Sequence, residues 1–83
     1  MIEIRYFASL RETVGRDREP FDWPKPQPAA ALIEQLRGRG DPWFSALGGA
    51  QRVMIAINQE MAYPEALIRD GDEVALFPPV TGG

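Results

Sequence analysis

The residues best suited to chemistry are the last six of the chain, Pro78-Pro79-Val80-Thr81-Gly82-Gly83. The two prolines cannot continue a ladder of hydrogen bonds, and their fixed φ favours an extended exit of about 18–20 Å over six residues. Gly82 and Gly83 lack Cβ atoms, so they can pass through a tunnel too narrow for any side chain. The pattern predicts an arm that inserts into the active site of another protein.

Most side-chain chemistry is excluded because the sequence has no histidine and no cysteine. No imidazole base, thiolate nucleophile, disulfide or thiolate-bound zinc can form. Carboxylates, hydroxyls, one lysine and the chain ends remain, and the acidic residues lie mostly near turns or among arginines. We therefore expect no bound metal and no permanently bound cofactor. The carboxylate of Gly83 is the candidate reactive group, and whether the chain is itself an enzyme stays uncertain.

The charge pattern bears on the class of partner. Nine basic residues stand against twelve acidic ones, for a net charge of −3, and the basic residues form no long cluster. Nucleic acid is therefore not expected as a partner. No apolar run is long enough to span a bilayer, and the N-terminus lacks the layout of a signal peptide, so we expect no membrane association and a cytoplasmic location.

Period-two alternation of apolar and polar residues predicts the strands. The predicted strands are 2–8, 18–23, 53–57 and a last strand that includes 74–77, with a brief return segment at 61–63. The return follows Asn58-Gln59, which supplies turn residues, and Gly71 can take the positive φ that launches the last strand.

The main helix is predicted by an apolar stripe at Ala29, Leu32, Ile33 and Leu36. It follows the segment 24–28, in which three prolines indicate a connection without ladder hydrogen bonds. Pro28 suits the first helical turn, and either Gly38 or Gly40 suits the C-cap.

Two shorter helices are also predicted. Ser9-Leu10-Arg11-Glu12 has the spacing of a capping box, which favours a helical turn ending near Gly15. Asp41-Pro42 resembles an N-cap and first-turn proline of a helix that Gly48-Gly49 would end. We expect Phe44 and Leu47 of that helix to add to the core.

The order ββαβ(β)β predicts an α+β fold with a mixed sheet of about four to five strands. One main helix crosses the sheet, short helical turns accompany it, and the last strand can pair in parallel with the first. The arrangement resembles the β-grasp fold of ubiquitin. We expect one domain over residues 1–77 and an extended tail over residues 78–83.

Exposed aromatic residues near the tail predict an interface. Phe7 lies on the outward face of the first strand, and Phe77 lies opposite the inward Val74 and Leu76. With Met61 and Pro78, these two rings can form the apolar centre of a partner interface. The alternative is that Phe7 or Phe77 packs beneath the short helices as ordinary core.

The tail and two further segments resemble the molybdopterin synthase small subunit family, which belongs to the ubiquitin-like sulfur carriers. Residues 70–83, DGDEVALFPPVTGG, resemble the ending of that family. Residues 4–15, IRYFASLRETVG, resemble its opening strand and turn, and residues 56–59, AINQ, its central strand and hairpin. The sequence departs from the family in the proline-rich segment 23–28 and in the Arg-Gly segment 37–40.

The resemblance implies that Gly83 is adenylated by a ubiquitin-activating-like adenylyltransferase with Mg·ATP and is then converted to a thiocarboxylate by a sulfur donor system. The tail would donate sulfur to cyclic pyranopterin monophosphate, also named precursor Z, in molybdenum cofactor biosynthesis. The resemblance further implies a large catalytic subunit as partner, which supplies the catalytic residues, and a heterotetramer of two small and two large subunits.

Two other functions remain open. A carrier for thiamine thiazole or another thiolated product would share the fold and the glycines but usually lacks the Pro78-Pro79 pair. A ubiquitin-like protein modifier or docking module would instead join Gly83 to a target lysine, or leave it unreacted.

Overall fold

The computed structural model describes residues 1–47 and 53–79. Gly48-Gly49, predicted to end the third helix, lie outside this range. The helices and strands follow one another as β1 (Ile2–Tyr6), α1 (Ala8–Val14), β2 (Arg18–Phe21), β3 (Gln27–Pro28), α2 (Ala29–Arg37), α3 (Trp43–Leu47), β4 (Met54–Ile57), β5 (Glu60–Ala62), β6 (Leu67–Ile68) and β7 (Glu73–Phe77). Within the described ranges, no helix has the length and apolar character needed to cross a membrane.

Five strands form the main sheet in the order β2-β1-β7-β4-β5. β1 and β7 pair in parallel at its centre, with Ile4 opposite Val74 and Tyr6 opposite Leu76. The other three pairings are antiparallel. This mixed sheet, crossed by one main helix, confirms the predicted β-grasp arrangement.

The inner face of the sheet carries the core. Side chains from β1, β7 and β4 pack with the apolar stripe of α2, as period-two and period-3.6 alternation require. Ile4, Val74, Leu76, Leu32 and Leu36 are fully buried. The other buried apolar residues of the core are Ile2, Tyr6, Leu10, Val14, Trp23, Ala29, Leu47, Ile55 and Ile68.

The β4–β5 hairpin has the two-residue turn predicted at Asn58-Gln59. Both residues have positive φ, 51° and 69°, which is the geometry whose twist matches the flanking strands. The Asn58 amide donates to Asp72 Oδ1 at 2.9 Å, and its oxygen accepts from the Glu73 backbone N–H at 3.0 Å. The hairpin is therefore tied to the start of β7, and Gly71 enters that strand with φ of 90°.

Helix α1 forms where it was predicted, but its start differs from the prediction. Phe7 occupies the N-cap position, and no side chain among the described residues caps the helix there, so the proposed Ser9–Glu12 capping box is wrong. Ser9 already lies inside the first turn because the chain turns directly from β1 at Phe7. The end at Gly15 is confirmed, with a left-handed φ of 80° and an N–H donated to the Arg11 carbonyl at 2.9 Å.

The proline-rich segment is not purely a connection, since Gln27 and Pro28 pair with Ile68 and Leu67 as a two-stranded sheet. A pair this short needs few donors, so one proline is tolerated at its edge. Pro28 then serves as the N-cap of α2 rather than a residue of its first turn. The first two helical N–H groups donate to the carbonyls of Ala66 and Pro64, each at 2.9 Å. Gly38 is the C-cap, as one of the two predicted alternatives.

Helix α3 confirms one of its two predicted core residues. Asp41 Oδ1 accepts hydrogen bonds from the Ser45 N–H at 3.2 Å and the Ser45 hydroxyl at 2.6 Å, and Leu47 is buried. Phe44, however, is 55% exposed, so its assignment to the core is wrong. Its ring lies on the surface beneath the Arg37 guanidinium, 5.6 Å from the ring centre.

A buried polar network, which the sequence did not reveal, fixes the α2–α3 connection on β2. Glu19 is only 7% exposed and accepts hydrogen bonds from Tyr6 at 2.7 Å and Arg39 at 3.0 Å. Trp43 donates to the Tyr6 hydroxyl at 3.1 Å, and its ring lies 4.7 Å from the Arg39 guanidinium carbon. Arg16 approaches the other Glu19 oxygen at 3.5 Å.

The network sets the charge of Glu19. Burial alone would raise its pKa, but hydrogen bonds from Arg39 and Tyr6 and the charges of Arg39 and Arg16 outweigh burial and hold the pKa below its ordinary value of 4.5. Burial, followed by the hydrogen bond to Glu19, raises the pKa of Tyr6, which therefore stays protonated. The pair is thus an ionised carboxylate and a neutral phenol.

Glu19→Gln tests the network through pH. Because the folded pKa of Glu19 lies below the unfolded value, its contribution is complete above about pH 4.5 and is lost as pH falls through the folded pKa. At pH 7 we expect Glu19→Gln to lower the free energy of unfolding by about 1–3 kcal/mol, with a smaller difference at acidic pH. Urea titrations across pH measure this, with the exposed Glu34→Gln as the matched control. If the loss of unfolding free energy in Glu19→Gln does not become smaller as the pH falls, the assignment of Glu19 as an ionised carboxylate is contradicted.

Candidate functional site

The tail begins directly at the central strand of the sheet. Pro78 and Pro79 follow β7 without a turn, lie outside any strand and are partly buried. Val80, Thr81, Gly82 and Gly83 lie outside the described residues, so the predictions made for them stay predictions. The described geometry establishes where the tail starts: at the C-terminal end of β7, where β1 also ends.

The structure brings Phe7 and Phe77 together on the outer face of the sheet. The Phe7 N–H donates to the Leu76 carbonyl at 3.1 Å, which extends the β1–β7 ladder by one residue and brings Phe7 close to the end of β7. Both line a shallow depression of about 480 Å³, whose other lining residues are Arg5, Gln59, Glu73 and Ala75. Phe7 is 38% exposed and Phe77 is half-buried, and neither is among the buried core residues.

Met61 lies on the same outer face but in a neighbouring concavity. It pairs with Ala56, which pairs in turn with Ala75, so the three side chains share one row across the sheet. Met61 is 60% exposed and lines a recess of about 580 Å³ together with Val53, Met54, Ile55, Ala62, Tyr63 and Pro64. Met54 pairs with Phe77 and joins the two concavities. We call this surface, from Phe7 through Phe77 and Met54 to Met61, the outer apolar face.

An ion pair borders the outer apolar face. Arg5 Nη1 lies 3.5 Å from Glu73 Oε1, and the Arg5 guanidinium carbon lies 5.4 Å from the centre of the Phe7 ring. The two charged side chains are about one-third exposed, at 34% and 30%. Such a pair adds little to stability, so its main effect here is to hold Arg5 over the aromatic edge.

The described side chains of this face are suited to recognition rather than to acid–base catalysis. The groups with resolved pKa shifts, Tyr6 and Glu19, belong to the buried network instead. Across residues 1–47 and 53–79, no cluster of three acidic side chains is arranged to hold a metal ion.

Comparison with protein families places the chain in one of them. The model of the ThiS family matches residues 4–83, which is nearly the whole chain and includes the tail. The chain belongs to the ThiS family. Among its curated relatives, the molybdopterin synthase sulfur carrier subunit of Haemophilus influenzae is 39% identical over 83 residues, with all of both chains covered.

Solved structures of similar fold agree with ThiS family membership. The small archaeal modifier protein 1 of Haloferax volcanii superposes with a TM-score of 0.80 at 29% identity, covering 99% of this chain and 98% of that one. A chain from the Helicobacter pylori complex of molybdopterin-converting factor subunits 1 and 2 superposes with a TM-score of 0.64. It is 22% identical, with 99% and 97% of the two chains covered, and supports the fold alone.

Sequence reasoning placed Phe7 and Phe77 on the outer face, but it predicted both as exposed, whereas Phe77 is half-buried, and it missed the residues around them. Alternation along β1 placed Arg5 and Phe7 on the same side, yet nothing local indicated that Glu73 of β7 would pair with Arg5. The positions of Gln59 and Met54 at the outer apolar face are decided only by the register of the strands. The sequence did indicate that Met54 faces outwards, because it alternates with the buried Ile55. Its position beside Phe77, however, is fixed by the pairing of β4 with β7.

Phe7→Ala tests whether this ring is surface or core. We expect the free energy of unfolding to fall by less than about 1.5 kcal/mol, because only part of the ring is removed from water. Leu76→Ala, one strand away and fully buried, should cost about 2–5 kcal/mol. Chemical denaturation of both variants gives the comparison. A Phe7→Ala cost as large as that of Leu76→Ala would restore the alternative that Phe7 is ordinary core.

Proposed function

We propose that this chain is the sulfur carrier subunit of a molybdopterin synthase. The observation that carries the proposal is the end-to-end match: a relative of that name is 39% identical with full coverage of both chains, and the ThiS family model extends through Gly83. The described geometry supports it, since the tail begins at the central strand beside an exposed apolar face. A carrier needs both a reactive end and a docking surface near it.

The proposed reaction takes place at the Gly83 carboxylate. A carboxylate is a poor electrophile until one oxygen becomes part of a good leaving group. A partner adenylyltransferase with Mg·ATP joins the carboxylate to AMP and releases pyrophosphate; sulfur from a donor system then attacks the carbonyl carbon and AMP leaves. The resulting thiocarboxylate donates its sulfur to cyclic pyranopterin monophosphate. The chain itself holds no permanent cofactor in this scheme.

The outer apolar face is the proposed docking surface for the large catalytic subunit. Phe7 and Met61 are exposed and Phe77 is half-buried. Aromatic residues often dominate binding energy at interfaces. Docking here would set Pro78 and Pro79 at the partner surface and direct the tail towards its active site. The Helicobacter pylori complex contains a chain of this fold together with a second subunit. Two small and two large subunits are the proposed assembly.

A second candidate function is that of a protein modifier. The observation in its favour is the TM-score of 0.80 with a protein named as a small archaeal modifier. A modifier and a sulfur carrier share the activation of the terminal carboxylate and differ in the nucleophile that follows, an amine in one case and sulfur in the other. The acceptor therefore distinguishes them.

Intact mass tests the carrier function. Incubation with ATP, Mg²⁺, the adenylyltransferase and a sulfur source should raise the mass by the difference between one sulfur and one oxygen. Deleting Gly83 should abolish the change, because Thr81-Gly82 would then end the chain one residue short. Absence of the shift under conditions that thiolate a known carrier, with conjugates to target lysines in its place, would favour the modifier.

Phe77→Ala and Met61→Ala test the docking surface. We expect each to weaken binding to the large subunit by about 1–3 kcal/mol, or about 5- to 150-fold in Kd. Phe44→Ala is the matched control, because Phe44 is also an exposed aromatic residue but lies on α3 rather than on the outer apolar face. Calorimetric titration measures all three. Equal losses of affinity for the large subunit in Phe44→Ala and Phe77→Ala would show that the large subunit does not dock on the outer apolar face.

A further inference from the structure

The charged residues of the outer face lie in rows that follow strand register. Glu3 stands opposite Glu73 in the parallel pair of β1 with β7, and Arg5 stands opposite Arg18 in the antiparallel pair of β1 with β2. Glu3 and Arg5 alternate with the buried residues of β1, so these four side chains point to the outer side of the sheet. The face therefore carries a row of two carboxylates next to a row of two guanidinium groups.

A third row, of aromatic residues, follows towards the tail. Phe7 lies two residues beyond Arg5 on β1, and Phe77 closes β7; the two rings line one depression together with Arg5 and Glu73. Successive rows are about 6.6 Å apart, since each residue of a strand rises by about 3.3 Å. Negative charge, positive charge and apolar surface thus follow one another along β1, and Pro78 leaves from the apolar end.

This order of charges does not favour the fold. Like charges that stand directly opposite one another destabilise a sheet, and both charged rows have that arrangement. The ion pairs that offset the repulsion are long: Arg5 Nη1 lies 3.5 Å from Glu73 Oε1, and Arg18 Nε lies 3.9 Å from Asp17 Oδ2. A charge-assisted hydrogen bond measures about 2.7–2.9 Å. Each guanidinium group therefore keeps donors for a further acceptor.

Exchanging two residues would remove both pairs of like charges. With Arg5→Glu and Glu73→Arg together, opposite charges would face each other at Glu3 and at Arg18, and the ion pair between the two exchanged positions would persist with its ends reversed. One new repulsion would arise along β1, between positions 3 and 5, but it acts over about 6.6 Å rather than about 5 Å. The net charge would stay at −3. The order found in this chain therefore has a cause other than stability.

Resting on the proposed docking of the large subunit, we infer that these rows fix the direction and register of docking, and that Arg5 and Arg18 together bind one carboxylate of the large subunit. Neighbouring guanidinium groups suit a carboxylate, whose two oxygens accept parallel hydrogen bonds. Arg5 is already held over the Phe7 ring, at 5.4 Å from its centre, so little side-chain freedom is lost on binding. The bound carboxylate also relieves the repulsion between the two arginines.

The rows determine where the tail meets the partner. A large subunit displaced by one row would set its carboxylate against Glu3 and Glu73, and like charges brought together at an interface disfavour the wrong arrangement. The same displacement would move Pro78 by about 6.6 Å relative to the partner surface, which is the length of two extended residues. The charged rows thus select one depth of entry for the tail, while the aromatic row supplies apolar contact.

The double variant Arg5→Glu/Glu73→Arg separates recognition from stability. We expect its urea midpoint to equal or exceed that of the wild type, because opposite charges then face each other in both rows. We expect its Kd for the large subunit to rise about 10- to 100-fold, because a carboxylate is presented where the carboxylate of the partner docks. Calorimetric titration and urea denaturation of the full chain measure the two quantities.

The matched control exchanges the ion pair of α2, as Glu34→Arg/Arg37→Glu. This pair lies at 3.0 Å on the helix, away from the outer face, and its exchange also preserves the net charge. We expect the Kd of the control to change by less than about twofold, as for most surface substitutions away from an interface. A purely structural role of Arg5 and Glu73 predicts that the exchange at the outer face likewise leaves Kd unchanged.

Compensation identifies the carboxylate on the partner. Arg5→Glu/Arg18→Glu should weaken docking more than either single change. Exposed aspartate and glutamate residues of the large subunit are then reversed to arginine one at a time. One of these reversals should restore the affinity for Arg5→Glu/Arg18→Glu by at least about 10-fold while weakening the affinity for the wild-type chain, since an opposite pair is rebuilt in the first case and lost in the second.

Three outcomes would overturn the inference: an unchanged Kd in Arg5→Glu/Glu73→Arg, a urea midpoint of that variant below the wild-type value, or the absence of any compensating reversal on the large subunit. A wild-type chain that shows these effects but no mass shift counts against sulfur transfer alone. A wild-type chain that is thiolated but binds no better than Arg5→Glu/Glu73→Arg counts against the inference alone. A wild-type chain that does not bind the large subunit overturns the proposed docking and the inference together.

Discussion

The parallel pairing of β1 with β7 is the constraint on which the rest of the structure depends. It joins the first strand of the chain to the last at the centre of the sheet, with Tyr6 opposite Leu76. Because parallel strands end at the same edge, the residue after β1 and the end of β7 must be neighbours. Phe7 and Phe77 line the same depression for this reason, and the tail begins from a strand held by ladders on both sides.

The two faces of this sheet have different roles. The inner face packs with α2 and is dry, which supplies the burial that a chain of 83 residues needs to fold. The buried network around Glu19 ties the α2–α3 connection to the edge strand β2 on that side of the molecule. The outer face carries no helix among the described residues, and apolar side chains on it, such as Phe7 and Met61, are exposed.

The proposed reactive group belongs to the end of the chain and not to its folded body. The reactive group proposed for this chain is a terminal carboxylate, which any folded body could carry. What the body contributes is a fixed starting point for the tail at the end of β7 and a partly exposed apolar face beside it.

The sequence by itself determined the features that depend on local pattern. Hydropathy periods predicted the strands and α2, and the Asn58-Gln59 and Gly71 turns followed from residues that tolerate positive φ. Helix caps and short strand pairings were harder to predict. Phe7 rather than Ser9 is the N-cap of α1, and Gln27 forms a strand pair only because Ile68 lies opposite. Only the tertiary structure decided which distant residues meet. Strand register placed Arg5 beside Glu73 and Met54 beside Phe77, and packing gathered Tyr6, Glu19, Arg39 and Trp43, because contacts across 13 to 37 residues leave no periodic trace in a sequence.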